Sequence, residues 1–508
     1  DEERINSGTL KALGYSNADV MKKFIFYGLI SGTLGSIAGI ILGHTLFPMI
    51  VNNAYNSGFT LPAIQLDFHP GITIVALFLA LLSAVLPAWI VASRELQERP
   101  AQLLLPKPPT AGSKILVERI SYVWDHLNFT HKVTARNLFR YKKRMFMTIF
   151  GVAGSVSLLF AGFSVQHSIA EINDRQFGEI IRYDIIVAEN PHVTGSQQKE
   201  IDNLIKSDAV KTSASVHYEE LEKVAGKNQD TQEIKLIVPD TTENFDDYIH
   251  LYNRKSGKQL SLPDDGVIIS ERLARLLDAA EGDTITMQDQ NNTNIQMKVE
   301  GITEMYMGHF IFTSRQGYEK IFDGDFTNNA YLVNLKDSSI ENTEKQSAAF
   351  IKADGVKGVV QNTTLMNQID AIVHALDKIM KVLIVVAALL GIVILYNLTN
   401  INVSERIREL STIKVLGFFD KEVTLYIYRE TILLTLLGIL AGFAIGEALH
   451  QYIIKGVPPD DVMFKPALWG RSFLIPTIII SLVTLILGFE VNRRLKRVNM
   501  LEALKSVD

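Results

Sequence analysis

Two short runs in this chain of 508 residues place a lysine, a leucine and a glycine in the same order. They are Lys11-Ala-Leu13-Gly14 and Lys414-Val-Leu416-Gly417, and each is followed five residues later by an acid, Asp19 or Glu422. The chemistry this pattern suits is docking rather than bond-making. A glycine that interrupts two short amphipathic stretches makes a helix–turn–helix, with a cation and an acid on either side of an apolar tip. Such an element can take force from a soluble partner. Bond-making chemistry has little support. There are no cysteines, which excludes disulfides, thiolate metal sites and cysteine nucleophiles. No Gly-x-x-x-x-Gly-Lys-Ser/Thr loop, His-Glu-x-x-His helix or Gly-x-Ser-x-Gly elbow occurs. The 11 histidines are scattered, and Asp264, Asp265, Glu281 and Asp283 read as solvated loop acids. A net charge of −5 gives no case for nucleic acid.

The two runs lie 403 positions apart (414 − 11), and so do their surroundings. Gly35, Gly39 and Gly43 recur as Gly438, Gly442 and Gly446; Val20, Leu34 and Ala38 recur as Val423, Leu437 and Ala441. The chain is therefore a duplicated unit. Glycines four residues apart share one helix face, where they let backbones approach within lipid, so these six are expected to be helix-packing residues. His44 and Glu447 sit at equivalent places near the outer ends of the same helices. Ionisable groups there invite a functional reading, but solvation at the interface accounts for them.

Six apolar runs are long enough to cross a bilayer. They are centred on Phe24–Phe47, Ile72–Ala92, Met145–Val165, Ile379–Leu398, Leu425–Leu449 and Phe473–Phe489. The fifth carries Arg429 and Glu430 near its inner end. Basic clusters at Lys132 to Arg144 and Arg493 to Arg497 mark the cytoplasmic side. That orientation puts both Lys-x-Leu-Gly runs inside and residues His167 to Asp377 outside. The outer stretch alternates strand-like runs (Tyr183–Val187, Ile234–Val238, Thr284–Met287, Ile295–Gly301) with helical ones (Gln197–Ile205, Ser270–Leu277). Its flanks, Gln166–Ile181 and Leu365–Lys381, have helical periodicity and read as a stalk. The fold class expected is an α-helical polytopic membrane protein with an inserted α+β extracytoplasmic domain. The expected divisions are 1–105 (a hairpin and two spans), 106–130 (a cytoplasmic linker marked by Pro106-Lys-Pro-Pro109), 131–182 (lead-in, span and stalk), 183–362 (the outer domain) and 363–508 (stalk, span, hairpin and two final spans).

These residues resemble the FtsX-like family of ABC-transporter permeases, the group that includes MacB-like permeases. The resemblance rests on Arg136-Asn-Leu-Phe-Arg140 before a span with Thr148 and Gly151. It continues through an outer domain with Gly266-Val-Ile-Ile-Ser270, Glu281-Gly-Asp283 and Val299-Glu-Gly-Ile302. It ends with Glu405-Arg-Ile-Arg-Glu-Leu410, Lys414-Val-Leu-Gly417 and two final spans. That is one complete four-span unit over 131–508, and 1–105 resembles the C-terminal half of another. The resemblance implies eight spans in an intact pair, so an N-terminally incomplete chain is expected. It implies ATPase-coupling roles for Lys11, Leu13, Gly14, Asp19, Lys414, Leu416, Gly417 and Glu422, seated on a cytosolic ABC ATPase dimer. ATP and Mg would be bound by that partner and no cofactor by this chain. The place implied is the plasma membrane of a bacterium. The function implied is export, extraction or mechanotransmission at the cell surface, with an extracytoplasmic adaptor as a further partner. The alternative is a regulatory membrane protein that activates a cell-wall hydrolase or a signalling partner without moving a substrate. The first copy has Asn6-Ser7-Gly8 where the second has Glu409-Leu410-Ser411, so a weaker first docking helix is expected.

Overall fold

A computed structural model describes residues 3–55, 64–104, 118, 121–126, 128–140, 142–226, 229–289, 293–465 and 468–497. The linker around Pro106 lies outside these residues. The chain divides into two compact units. One comprises Asp1–Gly162, Lys381–Glu447 and Gly470–Asp508, and the other comprises Phe163–Met380 and Ala448–Trp469.

In chain order the first helices are α1 (Arg4–Ala12), α2 (Asn17–His44), α3 (Leu46–Tyr55), α4 (Pro70–Glu95), α5 (Pro100–Leu103), α6 (Ser121–His126), α7 (Phe129–Arg140) and α8 (Lys142–Ala170). The mixed region follows with β1 (Ile185–Glu189), α9 (Gly195–Ile205), β2 (Val210–Ala225), β3 (Asp230–Pro239), β4 (Val267–Ser270), α10 (Glu271–Leu276), β5 (Thr284–Gln288), β6 (Asn294–Thr303), β7 (His309–Phe312), α11 (Arg315–Phe322), β8 (Ala330–Leu335), α12 (Ile340–Ile351) and β9 (Val356–Gln361). The last helices are α13 (Asn362–Glu405), α14 (Ile407–Val415), α15 (Asp420–Gly456) and α16 (Gly470–Arg497). Six helical stretches are long and apolar enough to span a membrane: Asn17–Asn53, Pro70–Glu95, Lys142–Ile180, Val373–Ser404, Asp420–Gly456 and Gly470–Lys496.

In the helical unit, α8 is the packing centre of the second copy. Val152, Ala153, Val156, Leu159, Phe160 and Ala161 are fully buried. Small residues set the close approaches. A Cβ on Gly151 would lie 2.7 Å from Ile394 of α13, and one on Gly391 would lie 3.1 Å from Ile480 of α16. Ser155 Oγ donates to the Ala387 carbonyl at 3.0 Å, which keeps a polar side chain satisfied away from water. Phe160, Phe443 and Phe473 close the outer end of this packing, with ring centroids 4.8–5.6 Å apart. The α2–α4 pair of the first copy packs through Gly28 and Gly32, where a Cβ would meet Ala84 at 2.9 and 3.1 Å.

The mixed unit is built around one long strand. β2 pairs with β3 along Val216–Ala225, with β8 along Val210–Val216, and at Glu222 with Gln288 of β5. The order β2-β3-β7-β4-β6-β5 therefore closes back on β2 as a six-stranded ring, and β2-β8-β1-β9 leaves it as a four-stranded branch. Ring closure removes exposed edges. Leu221, Ile234, Leu236, Val267, Ile269, Met287, Met297 and Val299 form one apolar core, and Ile185, Val187, Ile201, Val333 and Phe350 form another. The stalk flank read as plain helix departs from that reading at Asp174–Ile180, which is a π-helix, a wider turn that often marks a site of strain or function.

The segment between α15 and α16 is part of this mixed unit. Met463 and Phe464 are buried in its third apolar core beside Tyr306, Phe310 and Phe312. Each such buried side chain contributes roughly 1.5–3 kcal/mol. Met463 N–H donates to the Tyr306 carbonyl at 2.7 Å and Gly308 N–H to the Asp461 carbonyl at 2.9 Å. Arg272 of α10 donates to the carbonyls of Asp460 and Pro459, both at 2.8 Å.

Candidate partner-docking hairpins

Each Lys-x-Leu-Gly run forms the same backbone. α1 ends at Gly14 with φ +92°, and α14 ends at Gly417 with φ +95°. Only a residue without Cβ adopts this left-handed region at no steric cost. In the first hairpin Gly14 N–H donates to the Lys11 carbonyl and Tyr15 N–H to the Leu10 carbonyl, the paired bonds of a helix ending in a left-handed residue. In the second, Gly417 N–H donates to the Lys414 carbonyl at 3.1 Å. The next helix then starts with a cap. Ser16 Oγ accepts from Asp19 N–H at 3.2 Å and donates to Asp19 Oδ2 at 2.6 Å, and Glu422 Oε2 accepts from Phe419 N–H at 2.9 Å. Acids three residues inside a helix start satisfy free N–H groups and suit the positive end of the helix dipole.

The four charged residues assigned to partner coupling thus all bond within the chain. Lys11 Nζ donates to the carbonyls of Leu96 and Glu98, at 2.7 and 2.9 Å, just past the end of α4. Lys414 Nζ donates to the Leu495 carbonyl near the end of α16 at 2.9 Å and pairs with Asp420 at 2.7 Å. A lysine on the last carbonyls of a helix suits the negative end of its dipole. Each lysine therefore fastens its hairpin to the last span of its own copy. Asp19 and Glu422 are caps. Among the described residues, the surface left for a partner is the apolar tip: Leu13 and Leu416 are each 72% exposed, and Tyr15, Phe418 and Phe419 are exposed beside them. The sequence reading included the leucines and missed the three aromatic residues. Their position next to a left-handed glycine was the signal that could have found them.

The weaker first helix expected from Asn6-Ser7-Gly8 is not observed; α1 runs unbroken from Arg4 to Ala12. Gly8 has a packing role instead. A Cβ there would lie 2.8 Å from Leu103 Cβ, and Leu103 of α5 is fully buried. Arg4, only 8% exposed, pairs with Glu95 at 2.8 Å and with Glu98. Lys23 pairs with Glu3 at 2.6 Å, and this hydrogen bond, with one from Asn6, holds the Glu3 carboxyl below the usual carboxylate range.

The six packing glycines divide. In α15 a Cβ on Gly438, Gly442 or Gly446 would lie 2.7, 2.6 and 2.8 Å from Val152, Val156 and Phe160 of α8. In α2 a Cβ on Gly35, Gly39 or Gly43 meets no described atom within 4 Å. The expected packing face is thus engaged in the second copy and open, among the described residues, in the first. His44 bonds to Thr73 at 3.2 Å and lies beside Phe68, a local contact between neighbouring helices. Glu430, the acid within a span, is 3% exposed between Arg144 at 2.8 Å and Arg406 at 2.7 Å.

Six candidate spans, two matched hairpins and an α+β domain inserted in the second copy define a multi-pass membrane protein. The FtsX-like permease C-terminal family matches residues 1–98 and 381–502, the two segments that carry the hairpins. These two segments are FtsX-like permease segments, and the chain is a multi-pass protein of the bacterial cell membrane. Two solved structures are similar to part of the chain. One is the periplasmic region of MacB from Actinobacillus actinomycetemcomitans, at 12% identity over 38% of this chain and 95% of that one, with a TM-score of 0.23. The other is the extracellular domain of the noncanonic ABC-type transporter YknZ from Gram-positive bacteria, at 14% identity over 35% of this chain and 99% of that one, with a TM-score of 0.20. Scores this low carry no argument, and the outer architecture rests on its own strand order. No curated protein sequence matches the chain.

Proposed function

We propose that this permease converts ATP hydrolysis on a separate cytosolic subunit into movement of its outer domain, which acts on material at the cell surface by export, extraction or mechanotransmission. ATP and Mg belong to that subunit. The observation that carries the reading is the pair of hairpins. They share one backbone, each is fastened by a lysine to its own last span, and each presents an exposed apolar tip beside a left-handed glycine. An apolar tip on a rigid, fastened turn suits insertion into a groove of a soluble motor. The outer domain is joined by chain to α8, α13, α15 and α16, so helix movements have four covalent routes to it.

The experiment is co-purification of the chain in nanodiscs with its ATP-hydrolysing subunit. Changing Leu13, Tyr15, Leu416, Phe418 and Phe419 to aspartate should abolish retention of that subunit and its stimulated hydrolysis, while the chain still inserts. Unchanged retention and hydrolysis would overturn the docking assignment.

A further inference from the structure

The two hairpins share a backbone but are tied to their helices by different electrostatics. In the second copy, Glu430 of α15 lies between two guanidinium groups. Its Oε1 is 2.8 Å from Arg144 Nη2 and its Oε2 is 2.7 Å from Arg406 Nη2, with side-chain exposures of 3% for Glu430, 8% for Arg144 and 4% for Arg406. Arg144 is in the first turn of α8. Arg406 is the cap residue at the start of the docking helix α14. One carboxylate therefore joins the span that leads to the outer domain, the start of the docking helix, and the span that follows the hairpin. Nearby polar groups are also paired across these helices: Asn402 Nδ2 donates to Thr431 Oγ1 at 3.3 Å.

The first copy lacks this acid and this arginine at the equivalent positions. The positions 403 residues before Glu430 and Arg406 are Tyr27 and Glu3, and Arg429-Glu430 corresponds to Phe26-Tyr27. Phe26 and Tyr27 are 62% and 79% exposed. Since an acid is absent at the position itself, this difference holds whichever helices surround α2. The first hairpin is fastened instead by Lys11 on the Leu96 and Glu98 carbonyls and by Arg4, 8% exposed, on Glu95 and Glu98, whose side chains at 32% and 38% exposed reach solvent.

The two arrangements transmit force differently. Drawing a buried carboxylate away from either of two buried arginines separates opposite charges in a low-dielectric site, so the pairs favour joint movement of the three helices. Pairs whose acids reach solvent exchange for water at lower cost than a fully buried carboxylate, so they enforce joint movement less. We infer that the two docking hairpins are not equivalent: the second drives α8 and α15 through Glu430, whereas the first anchors the ATP-hydrolysing subunit without driving the spans. Glu430, Arg144 and Arg406 are positioning residues in this inference, which rests on the docking reading above.

The test uses the absence of cysteines. Spin labels at Phe150→Cys on α8 and Leu34→Cys on α2, both exposed positions, report by their distance the movement of the joined α8 and α15 against the first copy in nanodiscs with the co-purified ATP-hydrolysing subunit. ATP with vanadate should shift that distance in the otherwise unaltered chain and in the first-hairpin variant Arg4→Gln/Glu95→Gln/Glu98→Gln. The shift should be lost in Glu430→Gln, with stimulated hydrolysis reduced at least tenfold and the subunit retained. Because Glu430→Gln leaves two buried arginines without their acid, Arg144→Met/Arg406→Met/Glu430→Met is measured as well. Apolar replacement of a whole buried ion cluster preserves folding in other proteins. A monodisperse triple variant that keeps the full distance shift would show a merely structural cluster and overturn the inference. Equal loss in the first-hairpin variant would overturn it too, by making the hairpins equivalent. If the unaltered chain retains no ATP-hydrolysing subunit, the docking reading falls and takes this inference with it, an outcome distinguishable from both.

Discussion

Replacing Gly417 by valine isolates the contribution of the hairpin's backbone to coupling. The glycine has φ +95°, and a Cβ there meets no described atom within 4 Å. A Cβ there therefore meets no described neighbour, and the main effect is the cost of holding a side-chain-bearing residue in the left-handed region. That cost is about 1–2 kcal/mol, and β-branching places valine at the upper end. One to two kcal/mol changes a folded ratio by a factor of about 5–30, so the formed population of this turn falls by that order. Gly14, with φ +92° and equally open surroundings, should respond in the same way. Asparagine enters the left-handed region more readily, so Gly417→Asn should retain most of the coupling. The assay is ATP hydrolysis by the co-purified subunit in nanodiscs, normalised to the amount of chain inserted. The expected order is glycine, then asparagine, then valine, with equal insertion and equal thermal stability of the outer domain. A valine variant that stimulates hydrolysis as well as glycine does would refute the reasoning, because the turn would then tolerate a conformation other than the one seen.

Three further outcomes follow from particular contacts. Gly442→Leu should cost about 1–3 kcal/mol through overpacking against Val156 and Ala153 and lower the melting temperature of the membrane unit, whereas Gly39→Leu, in open space, should leave it unchanged. Arg272→Ala removes the donors to the Pro459 and Asp460 carbonyls, at a cost of roughly 1.5–3 kcal/mol, and should raise hydrogen exchange across 457–465 without unfolding the six-stranded ring. His309, 2% exposed, has its pKa pushed down to about 4, chiefly by burial. The unfolded chain binds that proton at an ordinary histidine value near 6.5, so stability from this residue is full above about 6.5 and falls as pH drops toward 4. His309→Phe should flatten the acid side of the outer domain's stability profile between those limits, measured by chemical denaturation.

Much of the helical part was legible because the signals are local. Hydropathy over twenty residues marks a span, and a glycine followed by a capping acid marks the turn whether or not its neighbours are known. The strand reading also succeeded where alternation was strong, as in Thr284–Gln288 and Asn294–Thr303. The targets of the charged residues were not legible. Lys11, Asp19, Lys414 and Glu422 look alike in sequence whether they face a partner or their own chain, and only the position of a distant carbonyl or cap separates the two. Gly8 read as a weakness of α1 because Leu103, which needs the space, lies on another element. The burial of segment 457–465 was not legible either, because its apolar Met463 and Phe464 carry no pattern that distinguishes an exposed turn from a buried one.

By itself the sequence determined the duplication, the six spans, the two glycine turns and the insertion of an outer domain in the second copy. Each of these depends on periodicity or on residue types close together in the chain. Tertiary structure alone decided that β2 closes a ring while starting a four-stranded branch, that one glycine face is packed and its repeat is open among the described residues, and that Glu430 meets Arg144 from 286 positions away. Those outcomes depend on which side chains come to share a low-dielectric space. Such neighbours are set by the folding of the whole chain, and no local pattern encodes them.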